Sequence, residues 1–148
     1  MRPRFLLLAA SALALVFGAA TEAVGSQSVW SGLVIANNVS QPEAIPAELN
    51  RFEGTLKELF GYNQFKVIGQ SHKTLVTGAE DWLATSKYFA LHVDSKGGSD
   101  VGYLLNLKLF QEKNLLLETE AKLSKSSPLV IKGPQVGDGQ LLLLLVVQ

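Results

Sequence analysis

The sequence predicts an α+β fold in which one amphipathic helix, at about residues 46–60, packs on a mostly antiparallel curved sheet or incomplete sandwich of about 6–8 strands. Two observations predict this class. Apolar residues recur with helical spacing in one segment, whereas the chain after residue 63 alternates apolar and polar residues in short runs. Clusters of glycine, proline, asparagine and aspartate separate these runs, which is typical of turns between strands.

The first 20 residues have the layout of an export signal. Two arginines among the first four residues are followed by an apolar run over 5–17 and then by small residues up to Ala20. This run is shorter than the ~20 apolar residues that a membrane-spanning helix needs. We therefore expect residues 1–20 to be a signal peptide that is cleaved after Ala20, or at a second site after Ala23. The alternative is an uncleaved N-terminal anchor.

Composition excludes several classes of protein. The chain has 148 residues, with 13 basic and 13 acidic side chains and no cysteine. The charge balance excludes a strongly basic nucleic-acid binder, and the missing cysteines exclude disulfides, cysteine-ligated zinc and thiol catalysis. Once residues 1–20 are removed, the net charge becomes −2, and 55 of the remaining 128 residues are apolar, as in ordinary globular domains. We expect no nucleic-acid partner, no transmembrane span in the mature chain, and an exported location, periplasmic or secreted, with a bacterial envelope favoured.

Residues 21–28 are small and polar, which predicts a flexible lead-in, and residues 29–148 are expected to form a single globular β-rich domain. The first strand is predicted at 29–36. The helix begins near Pro46, whose fixed φ suits a first turn, and ends at Gly61, a residue type typical of helix C-caps. Its apolar stripe consists of Leu49, Phe52, Leu56, Leu59 and Phe60.

The rest of the chain is predicted to form strands. Apolar and polar residues alternate over 103–109 and 115–123, which predicts a β-hairpin with one apolar and one mostly charged face. We expect 29–36 and 64–70 to be parallel neighbours, joined by a right-handed crossover through the helix. The strands expected after the helix are 64–70, 74–76, 81–85, 88–93, 103–109, 115–123, 129–132 and 141–147, with a turn at 96–100.

The C-terminal run 141–147 consists of seven apolar residues without alternation. A strand of this kind is apolar on both faces, so it must be a central strand or lie under the helix. The competing interpretation is an exposed apolar edge that docks on a partner or contacts a membrane. The partner implied by that interpretation is another envelope protein, bound through a sheet edge or through the C-terminal strand.

The two histidines form no recognisable metal site or catalytic dyad. His72 lies in a polar stretch, and His92 lies on the strand face opposite Leu91 and Val93, so both are expected at the surface. A metal site needs three or four converging ligands. We therefore predict no catalytic, cofactor-binding or metal-ligating residue and no cofactor.

Carboxylate pairs have an alternative interpretation as the acid and base of a hydrolase. Glu118 and Glu120 share one strand face, and Glu80 and Asp81 are adjacent. The first pair alternates with apolar residues, which is typical of a solvated sheet face. We therefore favour the interpretation that these carboxylates lie on a solvated sheet face and have no catalytic role.

Three other segments carry weak signals. Asp94 and Asp100 flank a glycine turn but lack the regular spacing and closing glutamate of a calcium loop. Residues 61–65 place aromatic residues around two amides, either as a helix cap with its aromatics in the core or as a rim for a ligand. The triplet 38–40 matches a glycosylation acceptor, which matters in a eukaryotic secretory pathway.

The favoured function is that of a small exported non-enzymatic protein, a cell-envelope binding or assembly module. The sequence contains neither a serine-nucleophile motif nor a phosphate-binding glycine loop. One alternative is an extracytoplasmic hydrolase that uses carboxylates with His72. The other is a carrier of a small apolar ligand in a cavity lined by Leu105, Leu107, Leu117 and Phe89.

Export and processing can be tested on protein recovered from the cells that make it. We expect the mature chain outside the cytoplasm to begin at Thr21 or at Val24, because the small residues before these positions suit the processing protease. N-terminal sequencing and the intact mass measure this. A cytoplasmic chain that retains residues 1–20 would contradict it.

Overall fold

The computed structural model describes residues 28–148. The predicted signal peptide over 1–20, and the predicted lead-in up to residue 27, lie outside the described residues. Within residues 28–148, no helix has the length and apolar character that crossing a lipid bilayer demands. The elements in chain order are β1 (Ser28–Asn37), a 3₁₀ helix (Ala47–Phe52), α1 (Glu53–Phe60), β2 (Gln64–Thr74), β3 (Glu80–Thr85), β4 (Phe89–Gly98), β5 (Gly102–Gln111), β6 (Asn114–Ser124), β7 (Leu129–Val136) and β8 (Gly139–Val147).

The eight strands of the described chain form two antiparallel sheets of four strands each. Sheet A has the order β2–β1–β8–β7, and sheet B has the order β3–β4–β5–β6. The described chain is therefore sheet-dominated and mostly antiparallel with one short α-helix, as predicted. The predicted hairpin consists of β5 and β6, in which Lys108 lies opposite Glu118.

β1 and β2 are antiparallel neighbours, so the predicted parallel crossover is wrong. Asn37 at the end of β1 pairs with Gln64 at the start of β2. The cause lies in hydrogen bonds between the two loop ends. The Asn63 backbone N–H donates to Asn38 Oδ1, and the Asn63 side chain donates to and accepts from the backbone of Val39, all at 2.9 Å. These bonds hold the start of β2 beside the end of β1, so β2 runs back along β1.

The single helix predicted over 46–60 is in fact two helices. A 3₁₀ helix of six residues precedes α1, which has eight. The apolar spacing does not distinguish the two helix types here. Leu49 and Phe52 are three residues apart, and residues at that spacing share a face both in a 3₁₀ helix and in an α-helix. We call residues 47–60 the helical segment.

α1 ends at Gly61 as predicted. Gly61 has a φ of 69°, in the left-handed region that favours glycine, and its N–H donates to the Lys57 carbonyl at 2.9 Å. The apolar stripe is narrower than predicted, because Leu59 is 61% exposed. At about 100° per residue, Phe60 points closer to the direction of Leu56 than Leu59 does. Phe60 accordingly packs against the core.

Buried side chains form two apolar clusters, and sheet A contributes to both. The first cluster joins the two sheets and includes Val29, Leu33, Leu91, Val93, Leu105, Leu107 and Leu109. The second cluster joins sheet A to the helical segment and includes Trp30, Val34, Phe65, Leu49, Phe52 and Leu56. Each face of sheet A is therefore covered by described residues.

β8 alternates between these two clusters. Leu141, Leu143 and Leu145 belong to the cluster between the sheets, and Leu142 and Leu144 belong to the cluster with the helical segment. β8 also lies between β1 and β7. The expectation of a covered central strand is confirmed. The alternative of an exposed apolar edge is wrong for β8, because both of its edges are already paired.

A chain of polar side chains ties the helical segment to β1 and β2. Trp30 Nε1 donates to Gln70 Oε1 at 2.9 Å, and Gln70 Nε2 donates to Glu48 Oε2 at 2.8 Å. A hydrogen bond from the backbone at Glu48, together with the one from Gln70, lowers the pKa of Glu48 below its usual value. Glu48 therefore remains an anion that accepts from Gln70 at neutral pH.

Several element boundaries differ from the prediction, and β2, β4 and β7 each end four or more residues later than predicted. β2 ends at Thr74, and the chain then turns through a hydrogen bond from the Ala79 N–H to the Val76 carbonyl, so the predicted strand over 74–76 does not form. β4 continues through Gly98, beyond an irregularity in its pairing with β5, so the turn predicted at 96–100 starts later.

Because both faces of β8 are buried, substitutions in this strand should lower the stability of the protein. Leu143 is fully buried, and Leu143→Ala removes packed atoms and leaves a cavity, so we expect a loss of about 2–5 kcal/mol in the free energy of unfolding. Leu59→Ala removes the same atoms from a side chain that is 61% exposed, and we expect a change within about 0.5 kcal/mol. Urea denaturation followed by circular dichroism measures both. Equal losses in the two variants would contradict the assigned burial.

Candidate functional site

The face of sheet B that points away from sheet A is the candidate site. Side chains alternate along each strand, so residues next to the buried ones of β4 and β5 lie on this opposite face. Among residues 28–148, no helix or strand covers it, and its side chains are half-buried or exposed. We call it the outer face of sheet B. Its members include Glu80, Trp82, His92, Asp94, Asn106, Lys108, Phe110, Leu115, Glu118 and Glu120.

Trp82 is the largest exposed side chain of this face. It is 47% exposed, although tryptophan is usually much more buried. Its register partner His92 meets the indole edge-on, with ring centroids 4.9 Å apart and an interplanar angle of 71°. Phe110 also contacts the indole, with ring centroids 5.7 Å apart and an interplanar angle of 59°. Contacts with two rings hold the indole in place while about half of it faces solvent.

The apolar surface continues from Trp82 towards β6. Phe110 lies opposite Leu115, which is 50% exposed, and Leu116 at the adjoining irregularity of the ladder is 39% exposed. We call Trp82, Phe110, Leu115 and Leu116 the Trp82 patch. It occupies one end of the outer face of sheet B.

Charged and amide side chains surround the patch, and several are already paired. Asn106 Nδ2 donates to Glu118 Oε2 at 3.0 Å, and Lys96 Nζ lies 3.0 Å from Asp94 Oδ2. The hydrogen bond from Lys96 to Asp94, together with the Asp94 charge, raises the pKa of Lys96 above its usual value. These interactions order the polar surface without burying it.

His92 is less accessible than the sequence predicted. It lies on the outer face, as expected, but its side chain is 15% exposed because Trp82 packs against it. Its Nε2 lies 3.6 Å from Glu80 Oε1. His72, in contrast, is exposed on β2 of sheet A, opposite Trp30 in the ladder. The structure therefore places the two histidines on different sheets.

The carboxylates singled out in the sequence do not gather at one point. In residues 28–148, no group of three histidine, aspartate or glutamate side chains is placed to hold a metal ion. Glu118 and Glu120 are exposed on the outer face of sheet B, as a solvated face predicts. Glu80 is directed to His92, whereas the Asp81 carboxylate lies 3.5 Å from Lys73 Nζ.

The loop over 61–65 forms contacts within the protein. Phe65 is buried, and Tyr62 packs against the second cluster. Gln64 is 6% exposed, and its Oε1 accepts a hydrogen bond from the Glu43 N–H at 2.9 Å. These contacts match a helix cap with its aromatics in the core. Asn38, in the glycosylation triplet, is exposed.

The residues proposed to line a ligand cavity belong to the cluster between the sheets. Phe89, Leu105 and Leu107 are buried members of it, and Leu117 packs against it. Asp94, considered for calcium, is paired with Lys96.

Comparison of the chain with models of protein families, with curated proteins and with solved structures finds no match. The candidate site therefore depends on its geometry alone. Trp82 was not among the residues predicted from the sequence, although a signal for it exists. A period of two along β3 places Trp82 on the same face as Glu80 and opposite Leu83, which makes it an aromatic residue on a polar face.

Proposed function

We propose that this chain is an exported non-enzymatic binding module, an incomplete sandwich that contacts another envelope protein through the outer face of sheet B. The exposed Trp82, which contacts the rings of His92 and Phe110, carries the proposal. The apolar run and small residues of 1–20 support export.

The difference between the two sheets supports this choice of face. The helical segment contributes Leu49, Phe52 and Leu56 to the cluster on one side of sheet A, and sheet B lies on the other side. Among the described residues, sheet B is covered on one face alone, the face that packs against sheet A. Its second face is left open to a partner.

The composition of the outer face of sheet B also resembles that of binding surfaces. Residues that dominate binding energy in protein interfaces are enriched in tryptophan and lie within a rim of polar residues. Trp82 and Phe110 form an aromatic centre, with Glu80, Lys108 and Glu118 around it. Tryptophan presents a large apolar area and loses little side-chain entropy when a partner binds, particularly when neighbouring rings already hold it.

No specific observation favours either alternative function. His72 belongs to no group of three acidic and histidine side chains in residues 28–148. The leucines that a carrier would need are packed in the cluster between the sheets.

Site-specific crosslinking tests the proposed function. A photo-crosslinking amino acid replaces Trp82 in one variant of the full chain and Thr55 in a control variant. Thr55 is exposed on α1, which covers the opposite side of the molecule. After irradiation of the producing cells, we expect a discrete protein adduct at position 82 and none at position 55, identified by mass spectrometry.

Binding measured with the partner so identified checks the role of the indole. We expect Trp82→Ala to weaken affinity at least tenfold, because loss of an aromatic anchor commonly costs about 2 kcal/mol or more. Thr55→Ala should leave it unchanged. Circular dichroism confirms that both variants are folded. The absence of an adduct at position 82, or the same adducts from both positions, would overturn the proposed function.

A further inference from the structure

β6 is an edge strand whose outward side has no partner among the described residues. It is the last strand of sheet B and pairs with β5 on one side. The backbone N–H and C=O groups on its other side are therefore free to accept a further strand. β6 has 11 residues and contains neither proline nor glycine, so each of its residues keeps a backbone N–H for a ladder, and its pairing with β5 is regular from Leu117 to Ser124, beyond the irregularity at Leu116.

The other sheet edges are less suited to strand addition. β7 contains Gly133 and Pro134, where its register with β8 shifts, and proline lacks the N–H that a ladder needs. β2 and β3 approach each other closely, since a Cβ atom at Gly69 would overlap the backbone oxygen of Thr85. Among the described strands, β6 is the long edge that lacks these obstacles.

The side chains of β6 divide into an apolar run, Leu115–Leu117, and a charged run that contains Glu118, Glu120 and Lys122. Leu115 and Leu116 are 50% and 39% exposed, and Leu117 is half-buried against the cluster between the sheets. Glu118 and Glu120 follow, both exposed on the outer face of sheet B. Apolar residues at a free edge strand favour pairing with another chain, and the glutamates favour a basic one.

We propose that the partner adds an extended segment antiparallel to β6, with apolar residues opposite Leu115–Leu117 and lysine or arginine opposite Glu118 and Glu120. This inference rests on the proposed function and names the chemistry of its partner. The added strand would extend sheet B beside Leu115 and Leu116, which belong to the Trp82 patch. Main-chain hydrogen bonds supply affinity in this mode of recognition, and the alternate side chains supply specificity.

The charges of β6 also bear on pairing with β6 of a second copy. Antiparallel self-pairing centred on residue 118 or 119 places Glu118 opposite Glu118 or Glu120, and like charges directly opposite each other destabilise a ladder. A register centred on residue 121 instead places Glu120 opposite Lys122, but it leaves Leu115–Leu117 outside the paired region. A basic segment of another protein can cover the leucines and both glutamates together, so we infer a different chain as the partner.

A designed peptide tests this inference on the full chain. The probe is an end-capped peptide of sequence valine–lysine–valine–lysine–valine–threonine–valine, whose lysines fall opposite Glu120 and Glu118. A matched peptide has glutamate in place of both lysines. We expect isothermal titration calorimetry to show that the lysine peptide binds at least tenfold more tightly than the glutamate peptide. The replacement of both lysines by glutamate turns two attractive cross-strand charge pairs into repulsive ones.

Charge reversal in the protein should invert this preference. The double variant Glu118→Lys and Glu120→Lys should bind the glutamate peptide more tightly than the lysine peptide. The double variant Glu43→Lys and Glu58→Lys has the same net charge, with both changes at exposed positions outside sheet B, and should keep the original preference. An unchanged preference in the first variant would overturn the proposal.

Backbone methylation distinguishes an added strand from a peptide that lies on the sheet face. The amides of a strand point alternately to its two sides, so N-methylation of one alternate set blocks hydrogen bonds to β6 and the other set points to solvent. We expect one methylated peptide to lose binding at least tenfold and the other to retain it. Equal binding of both, or no binding of the unmethylated lysine peptide, would overturn strand addition.

The outcomes separate the two proposals. A specific adduct at position 82 together with a negative peptide result would overturn strand addition and leave the proposed function standing. The absence of that adduct overturns the proposed function whatever the peptides do.

Discussion

β8 is apolar on both of its faces, so both faces must be covered by other parts of the protein. The sheets and the helical segment of the described structure are arranged so that they provide this cover. The residues of β8 from Leu141 to Val146 are each 7% exposed or less. A fully buried leucine side chain contributes roughly 1.5–3 kcal/mol relative to an exposed one, so a strand of this composition is stable only when both faces are covered. Sheet B packs over one face and the helical segment over the other. β1 and β7 satisfy its backbone hydrogen bonds on both edges.

The same constraint determines which surfaces remain open. The described chain has one helical segment, and covering β8 places it on sheet A. The outer face of sheet B then has no cover among residues 28–148, and the chain order puts β6 at a free edge of that sheet. The two surfaces meet at Leu115 and Leu116. The proposed partner contact and the proposed strand addition therefore concern one continuous region, with Trp82 near one end and Glu120 near the other.

Patterns within a short stretch of sequence predicted the features that depend on neighbouring residues alone. The lack of alternation in β8 predicts its double cover, the period of two predicts the β5–β6 hairpin, and Gly61 predicts the end of α1. The antiparallel order of β1 and β2 was not predictable in this way. It depends on hydrogen bonds that Asn63 makes with Asn38 and Val39, which lie 25 and 24 residues earlier in the chain.

The candidate site was harder to predict for the same reason. Trp82 packs against Phe110, a residue 28 positions later, and that contact exists because β3 and β5 both flank β4 in a particular register. A single sequence shows that each aromatic residue lies on a polar strand face, but it does not show that the two meet. His92 illustrates the consequence, since its position on the outer face was predicted and its cover by Trp82 was not.

Hydrogen–deuterium exchange, resolved by residue, tests most directly whether β8 is the covered centre and β6 the open edge. We expect the amides of Leu141–Leu145 to exchange through global unfolding alone, because they are buried within a ladder that is paired on both sides. In β6 we expect every second amide between Leu117 and Leu123, where the pairing with β5 is regular, to exchange much faster, because these amides point to solvent. Amides of β8 that exchange as fast as those of β6, or uniform protection along β6, would contradict this arrangement.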